Sequence, residues 1–271
     1  MRTLVAMAIV TTLVGTAAAE GTLAAPWSKV DVSLSPPALL KKLGGAKAKK
    51  GQCPAPAYTY VTAGLCWGLI DLGASVLLIR YATFDAAKAA TDAWGDPIYR
   101  LGETDETRAA WIVRGDKGLL LASLSGDGTI TFEPIEPLRD LLAELKKMVG
   151  EDPNGVAKLI GKRTLLARCD GDEYCDFRAR PTELGGSAGG VIYFDTQHRA
   201  VSAGANVGTD SLEAGVKRLE GLFGAATKRT CRADGQMETQ YTFANEPGVM
   251  VDSSGPHAMQ VCVGACAVCA K

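Results

Sequence analysis

The stretch TDSLEAGVKRLEGLFG, residues 209–224, decides the fold. Leu212, Val216, Leu219 and Phe223 recur at helical spacing and predict an amphipathic helix with one buried face. Thr209 or Asp210 is its expected N-cap. The residues after it change period. TKRTCRA, TQYTFAN, GVMVDS and AMQVCVG are short strand-like runs set apart by turn-forming residues. A helix followed by such a series predicts an α+β fold, with the helix across one face of an antiparallel sheet.

The same order of elements occurs earlier in the chain. FDAAKAATDAW (84–94) predicts a helix with Phe84, Ala87, Ala90 and Trp94 roughly on one face. AAWIVRG, GLLLASL and TITFEPI then predict three strands. Trp94-Gly95 and Phe223-Gly224 end the two helices 129 residues apart, and Ile130 and Phe132 precede Met259 and Val261 by the same interval. Trp111 and Gly118 match Tyr241 and Gly248 at an interval of 130. The expectation is two similar halves, an internal repeat of helix followed by antiparallel strands. SVLLIRY (75–81) is a further strand of the first half, and RTLLARC, CDFRARP, GGVIYFD and AVSAGANV are strands of the second. A helix at 137–149 opens on Pro137 and carries Leu138, Leu141, Leu142, Leu145, Met148 and Val149 on one stripe; GEDPNG (150–155) ends it. This places the first α+β half at 53–150 and the second at 151–271.

The chain before Cys53 has two parts. Arg2, an apolar run to about Val14, and Ala17-Ala18-Ala19 have the layout of a secretory signal peptide over 1–19. Residues 20–52 read as a flexible basic lead-in. Pro36 and Pro37 start a short helix within it, and KKLGGAKAKKG (41–51) is a linker with five lysines. Overall charge is balanced, 29 Lys and Arg against 30 Asp and Glu, which gives no footprint for nucleic acid. No stretch after the leader is apolar for long enough to form a transmembrane helix. The expected location is secreted or periplasmic.

Export turns attention to the eight cysteines, Cys53, Cys66, Cys169, Cys175, Cys231, Cys262, Cys266 and Cys269. An even number in an oxidising compartment predicts disulfide staples. Cys53–Cys66 and Cys169–Cys175 are the natural local pairs. In AMQVCVG, alternation turns Met259, Val261 and Val263 toward the helix and Cys262 to the opposite face. Cys231 shares a face with Arg229, the outer one. Cys231 is therefore expected to bond one of the three terminal cysteines, Cys262 first, leaving Cys266–Cys269 as a small terminal loop.

No stretch carries a recognisable catalytic, cofactor or metal signature. SLSGDGTITFEP (123–134) resembles a calcium loop, but Ser123 and Pro134 stand where acidic ligands belong, so it reads as a hairpin turn. GVAKLIGKRT (155–164) has the wrong spacing for a phosphate loop and reads as a short helix. LGGSAGGV (184–191) lacks the strand and helix of a dinucleotide site. CDGDEYCD (169–176) reads as a disulfide loop with an acidic tip. His198 and His257, the two histidines, both lie in turn-like stretches. Cys266-Ala-Val-Cys269 has no following helix to stabilise a thiolate, so redox catalysis is not expected. The favoured function is an exported, non-catalytic protein that binds a protein or cell-envelope component through its sheet faces and loops. The alternatives are a hydrolase-type enzyme with an unrecognised site, and a metal-binding protein using His257 and the terminal cysteines.

Overall fold

Helical and strand periods alternate along the chain as the sequence predicts, in a computed structural model. It describes residues 27–53, 57–70, 75–79, 86–100, 107–161, 167–170, 173–178, 180–185, 189–233, 236–255 and 258–266. The expected signal peptide, His257 and Cys269 lie outside the described residues.

The first sheet contains β1 (Ala46–Lys47), β2 (Tyr60–Thr62), β3 (Leu65–Ile70), β4 (Ser75–Ile79), β5 (Tyr99–Arg100), β6 (Thr107–Arg114), β7 (Leu119–Ser125) and β8 (Ile130–Pro134). Its order is β1-β2-β3-β4-β8-β7-β6-β5, antiparallel throughout. Helix α1 (Pro36–Leu43) precedes β1, and α2 (Ala86–Trp94) separates β4 from β5. Helices α3 (Leu138–Met148) and α4 (Pro153–Gly161) follow. The second sheet contains β9 (Ala167–Asp170), β10 (Tyr174–Arg178), β11 (Gly189–Phe194), β12 (Ala200–Gly208), β13 (Ala226–Ala233), β14 (Gln236–Phe243), β15 (Glu246–Gly255) and β16 (Ala258–Gly264). Helix α5 (Leu212–Phe223) separates β12 from β13. Read from β9, the order is β9-β10-β11-β12-β16-β15-β14-β13, also antiparallel. The fold is α+β.

Both sheets thus join two four-stranded meanders through their last strands, with a helix between the meanders. Register follows topology. The pairs Val76↔Phe132, Leu77↔Thr131 and Leu78↔Ile130 become Ala205↔Val261, Asn206↔Gln260 and Val207↔Met259, each residue 129 positions later. The hairpin pairs from Leu120↔Pro134 to Leu124↔Ile130 recur at the same interval as Val249↔Val263 to Ser253↔Met259. Side chains are not kept along with register: Ser123 gives way to Asp252 and Thr131 to Gln260. The correspondence is one of architecture.

Each sheet has its own core. Trp67, Trp111, Ile130 and Phe132 of the first sheet pack with Leu39 and Leu43 of α1 and Ala90 of α2. Trp94 meets Trp111 and Phe132 edge-on at 5.8 and 5.7 Å, and the Trp111 indole donates to the Gly95 carbonyl at 2.9 Å. In the second core Ile192, Ala203, Ala205, Val251 and Val261 pack under α3, α4 and α5. The glycines after α2 and α5, Gly95 and Gly224, have φ of 78° and 79°, positive values that glycine adopts with no Cβ penalty.

Four expectations change. Residues 41–51 are not a flexible linker: Leu39 and Leu43, one turn apart, bury α1 beside Trp27 and Val30, and β1 pairs with β2. The lysines stay outside, with Lys42 paired to Asp116. The N-cap of α5 is Ser211, whose hydroxyl accepts from Ala214 N at 3.1 Å, not Thr209 or Asp210. The predicted helix at 137–149 exists as α3, but its leucines belong to the second core rather than the first half. Strands β1, β2, β3 and β5 are additional to the predicted ones.

Candidate binding surface

Because α3 and α5 cover one face of the second sheet, alternation sends every other residue of its strands to a helix-free face. Cys175, Phe177 and Ile192 enter the core, so their neighbours Tyr174, Asp176, Val191 and Tyr193 stand on the opposite side. Tyr174 and Tyr193 are directly opposed across β10 and β11. Their ring centroids are 6.5 Å apart at an interplanar angle of 47°. Tyr193 is 50 % exposed, one of the few large apolar side chains so open to solvent among the described residues. Next along the row comes Ser202 of β12, and Gly204 lies opposite Val191. Small side chains beside the pair leave the rings standing above the sheet.

Across the same face runs a polar row. Arg229, Gln240, Asp252, Gln260 and Asn206 are consecutive cross-strand partners over five strands. Asp252 is 9 % exposed. Burial, reinforced by the Glu238 carboxylate, raises its pKa to about 6. Gln240 is buried, and its side-chain amide donates to the Cys266 carbonyl at 3.1 Å. The chain end therefore folds back over this row.

The cysteines explain how. Cys53–Cys66 and Cys169–Cys175 are bonded as predicted, the latter between directly opposed residues of β9 and β10. Cys262 lies on the helix-free face, as its alternation predicts, but it bonds Cys266 rather than Cys231. Gly264, at φ 90°, turns the chain just past β16, and Ala265 N donates to Val201 O at 2.8 Å. That turn returns Cys266 to Cys262, so Cys266 is not paired with Cys269. Cys231 is also disulfide-bonded, and no described cysteine is free.

The other singled-out stretches lie in turns, in a helix and in a disulfide-closed loop. His198 has φ 56° in the turn between β11 and β12, where Asp195 Oδ1 accepts from Gln197 N and Arg199 N at 2.9 Å each. Asp127 holds the β7–β8 turn, accepting from Ser125 Oγ and Thr129 N. Burial alone would raise its pKa, but these bonds hold it below the usual value. Residues 155–161 lie in α4, with Val156 and Ile160 buried. The tip of the Cys169–Cys175 loop, 171–172, is outside the described residues. Among the described residues no group of three or more His, Cys, Asp and Glu side chains is placed to hold a metal. No described helix is long and apolar enough to cross a membrane.

In the sequence Tyr193 falls in the predicted strand GGVIYFD, whereas Tyr174 falls in the stretch read as a disulfide loop. The signal lay in alternation: in GGVIYFD the inward Ile192 forces Tyr193 outward. Compared with protein-family models, with curated proteins and with solved structures, the chain matches none.

Proposed function

We propose that the mature chain is an exported, non-catalytic binding protein that engages a protein or cell-envelope component through the helix-free face of its second sheet. One observation carries this: the opposed pair Tyr174 and Tyr193 stands on that face, with Tyr193 half exposed. Tyrosine supplies large, rigid, amphipathic contact area at low entropic cost, which is why it is enriched in interface cores. The sheet beneath is braced by α3 and α5, so the rings are presented on a rigid platform. The leader-like start and the disulfides support export.

The test is a pull-down from the envelope fraction with the mature protein and with the Tyr174→Ser/Tyr193→Ser double variant. The wild type is expected to retain a specific partner that the variant loses, while both unfold at similar temperature. Equal capture by the two proteins would move the contact surface elsewhere.

A further inference from the structure

The strands that end the two sheets differ in length. β1 and β5 have two residues each and β9 has four, whereas β13 has eight. It pairs with β14 in continuous register from Ala226↔Phe243 to Ala233↔Gln236, with no bulge and no proline. Proline and bulges are two of the devices by which sheets blunt an edge, and without them the outer side of a long strand is a template for another chain.

Two hydrogen bonds fix which backbone groups of β13 point outward. Just before the strand, Ala225 O accepts from Ala244 N at 3.1 Å, so residue 225 turns toward β14. Residues that exchange hydrogen bonds with the neighbouring strand alternate with residues that do not. Thr227, Arg229 and Cys231 therefore face β14, and Ala226, Lys228, Thr230 and Arg232 turn their N–H and C=O away from it. Ala226 fits this rule, because its N–H donates to Glu220 Oε1 of α5 at 3.0 Å. The first outward donor is thus met by a carboxylate of the chain itself. The next three residues, Lys228, Thr230 and Arg232, are exposed, and among the described residues their outward backbone groups have no partner.

Charge selects the occupant. β13 carries Lys228, Arg229 and Arg232 and no acidic residue. Alternation puts Lys228, Thr230 and Arg232 on one face. Lys228 Nζ stands 5.9 Å from the Tyr241 ring, and neither Lys228 nor Arg232 pairs with a carboxylate among the described residues. A second copy of β13 laid along this edge sets basic side chains against basic ones, which is destabilising. A neutral strand leaves both cations unanswered. An extended segment with carboxylates at i and i+4 answers both, and its central residue meets Thr230.

We propose that β13 is a strand-addition site for an extended acidic segment of a partner protein, which pairs with the backbone of Lys228, Thr230 and Arg232 and sets its carboxylates against Lys228 and Arg232. Four strands separate β13 from the tyrosine pair on β10 and β11, so this contact is independent of the sheet-face reading.

The test titrates the full mature chain by NMR with acetyl-Thr-Glu-Val-Thr-Val-Glu-Thr-amide, whose order is the same read from either end and so suits a parallel or an antiparallel strand. The controls are the same peptide with lysine for glutamate, and the acidic peptide N-methylated at its central threonine. The acidic peptide is expected to bind about tenfold more tightly than the basic one, since two opposite-charge cross-strand pairs become two like-charge pairs. It is expected to slow amide exchange at Lys228, Thr230 and Arg232, and N-methylation is expected to abolish that protection. Lys228→Glu/Arg232→Glu, at exposed positions, is expected to reverse the preference between the two peptides. Thr230→Pro, tolerated where a strand N–H faces solvent, is expected to lose both. The Tyr174→Ser/Tyr193→Ser variant is expected to bind the acidic peptide as the wild type does. No binding of the acidic peptide, equal binding of the two charge forms, unslowed exchange at the three amides, or an unreversed preference in the charge variant overturns the proposal. Loss of the acidic peptide in the tyrosine variant would place the contact on the sheet face and overturn the edge assignment.

Discussion

Asp252 is the residue at which position and chemistry conflict most. It is directly opposite Gln240 on one side and Gln260 on the other, nine-tenths buried, on a face that alternation alone would leave to solvent. Its pKa rises from 3.8 to about 6 through burial and then through Glu238. The folded state thus holds this proton more tightly than the unfolded chain. The stability linked to it is fully present below pH about 4 and is lost as pH rises through 6, with a slope of at most about 1.4 kcal/mol per pH unit. Asp252→Asn is expected to be more stable than wild type at pH 7.5 and equal to it near pH 4, measured by urea unfolding at both. Identical curves at pH 7.5 would mean that the carboxylate is already solvated. The cysteines offer a second check. Six of the eight are paired with one another, and Cys231 is disulfide-bonded as well. Non-reducing peptide mapping is expected to recover Cys262 linked to Cys266 and no peptide joining Cys231 to Cys262. The face of Cys262 was legible from alternation; its partner was not, because a turn at Gly264 decides it and a strand pattern does not encode where the chain goes next.

Among the elements, helix α3 shows what the hydrophobic pattern does and does not specify. Leu138, Leu141, Leu142, Leu145 and Met148 are all buried, as their spacing predicts. The pattern gives the helix and its inward face but not which sheet it covers. Position in the chain favoured the first half; the second core is where the leucines pack. Leu145→Ala is therefore expected to cost about 2–5 kcal/mol of unfolding free energy. Because the interface couples the two cores, the loss should appear as one lower urea midpoint in the tyrosine and tryptophan signals alike. Strands β6 and β7 were legible because each carries an apolar run between turn residues, and β8 because Ile130 and Phe132 alternate with polar residues. Strands β1, β2 and β5 have two or three residues, too few for a period to show. Strand β3, LCWGLI, is continuous rather than alternating, since its first four residues are all buried, so the helix and strand periods cannot be told apart there. The tyrosine pair was hidden for a related reason: alternation places both rings, but their approach depends on the β10–β11 register.

For the whole molecule, two sheets of the same strand order and separate cores must be held together by what crosses between them. Among the described residues, the crossing contacts include several polar ones. Arg218 of α5 donates to the Ile98 and Leu184 carbonyls at 3.2 and 3.1 Å and to Thr209 Oγ1 at 2.9 Å. Arg100 N donates to Asp210 Oδ1 at 2.8 Å, and Arg178 meets Glu133 at 3.3 Å. Gly185 packs so closely on Tyr99 that a Cβ there would lie 2.5 Å from the ring. Arg218 is the member with most partners, because one planar guanidinium satisfies carbonyls from both halves. Removing it leaves those carbonyls without their charged donor, a loss of about 1.5–3 kcal/mol per bond to a charged group. The four tryptophans, Trp27, Trp67, Trp94 and Trp111, all belong to the first half, so tryptophan fluorescence follows that half while far-UV circular dichroism follows both. In the wild type the two signals are expected to change together on urea titration, since the interface couples the cores. In Arg218→Ala they are expected to separate, with one half unfolding at lower urea than the other. Coincident transitions in the variant, at the wild-type midpoint, would show that Arg218 does not couple the two halves and that the packing of Tyr99 on Gly185 holds them together without it.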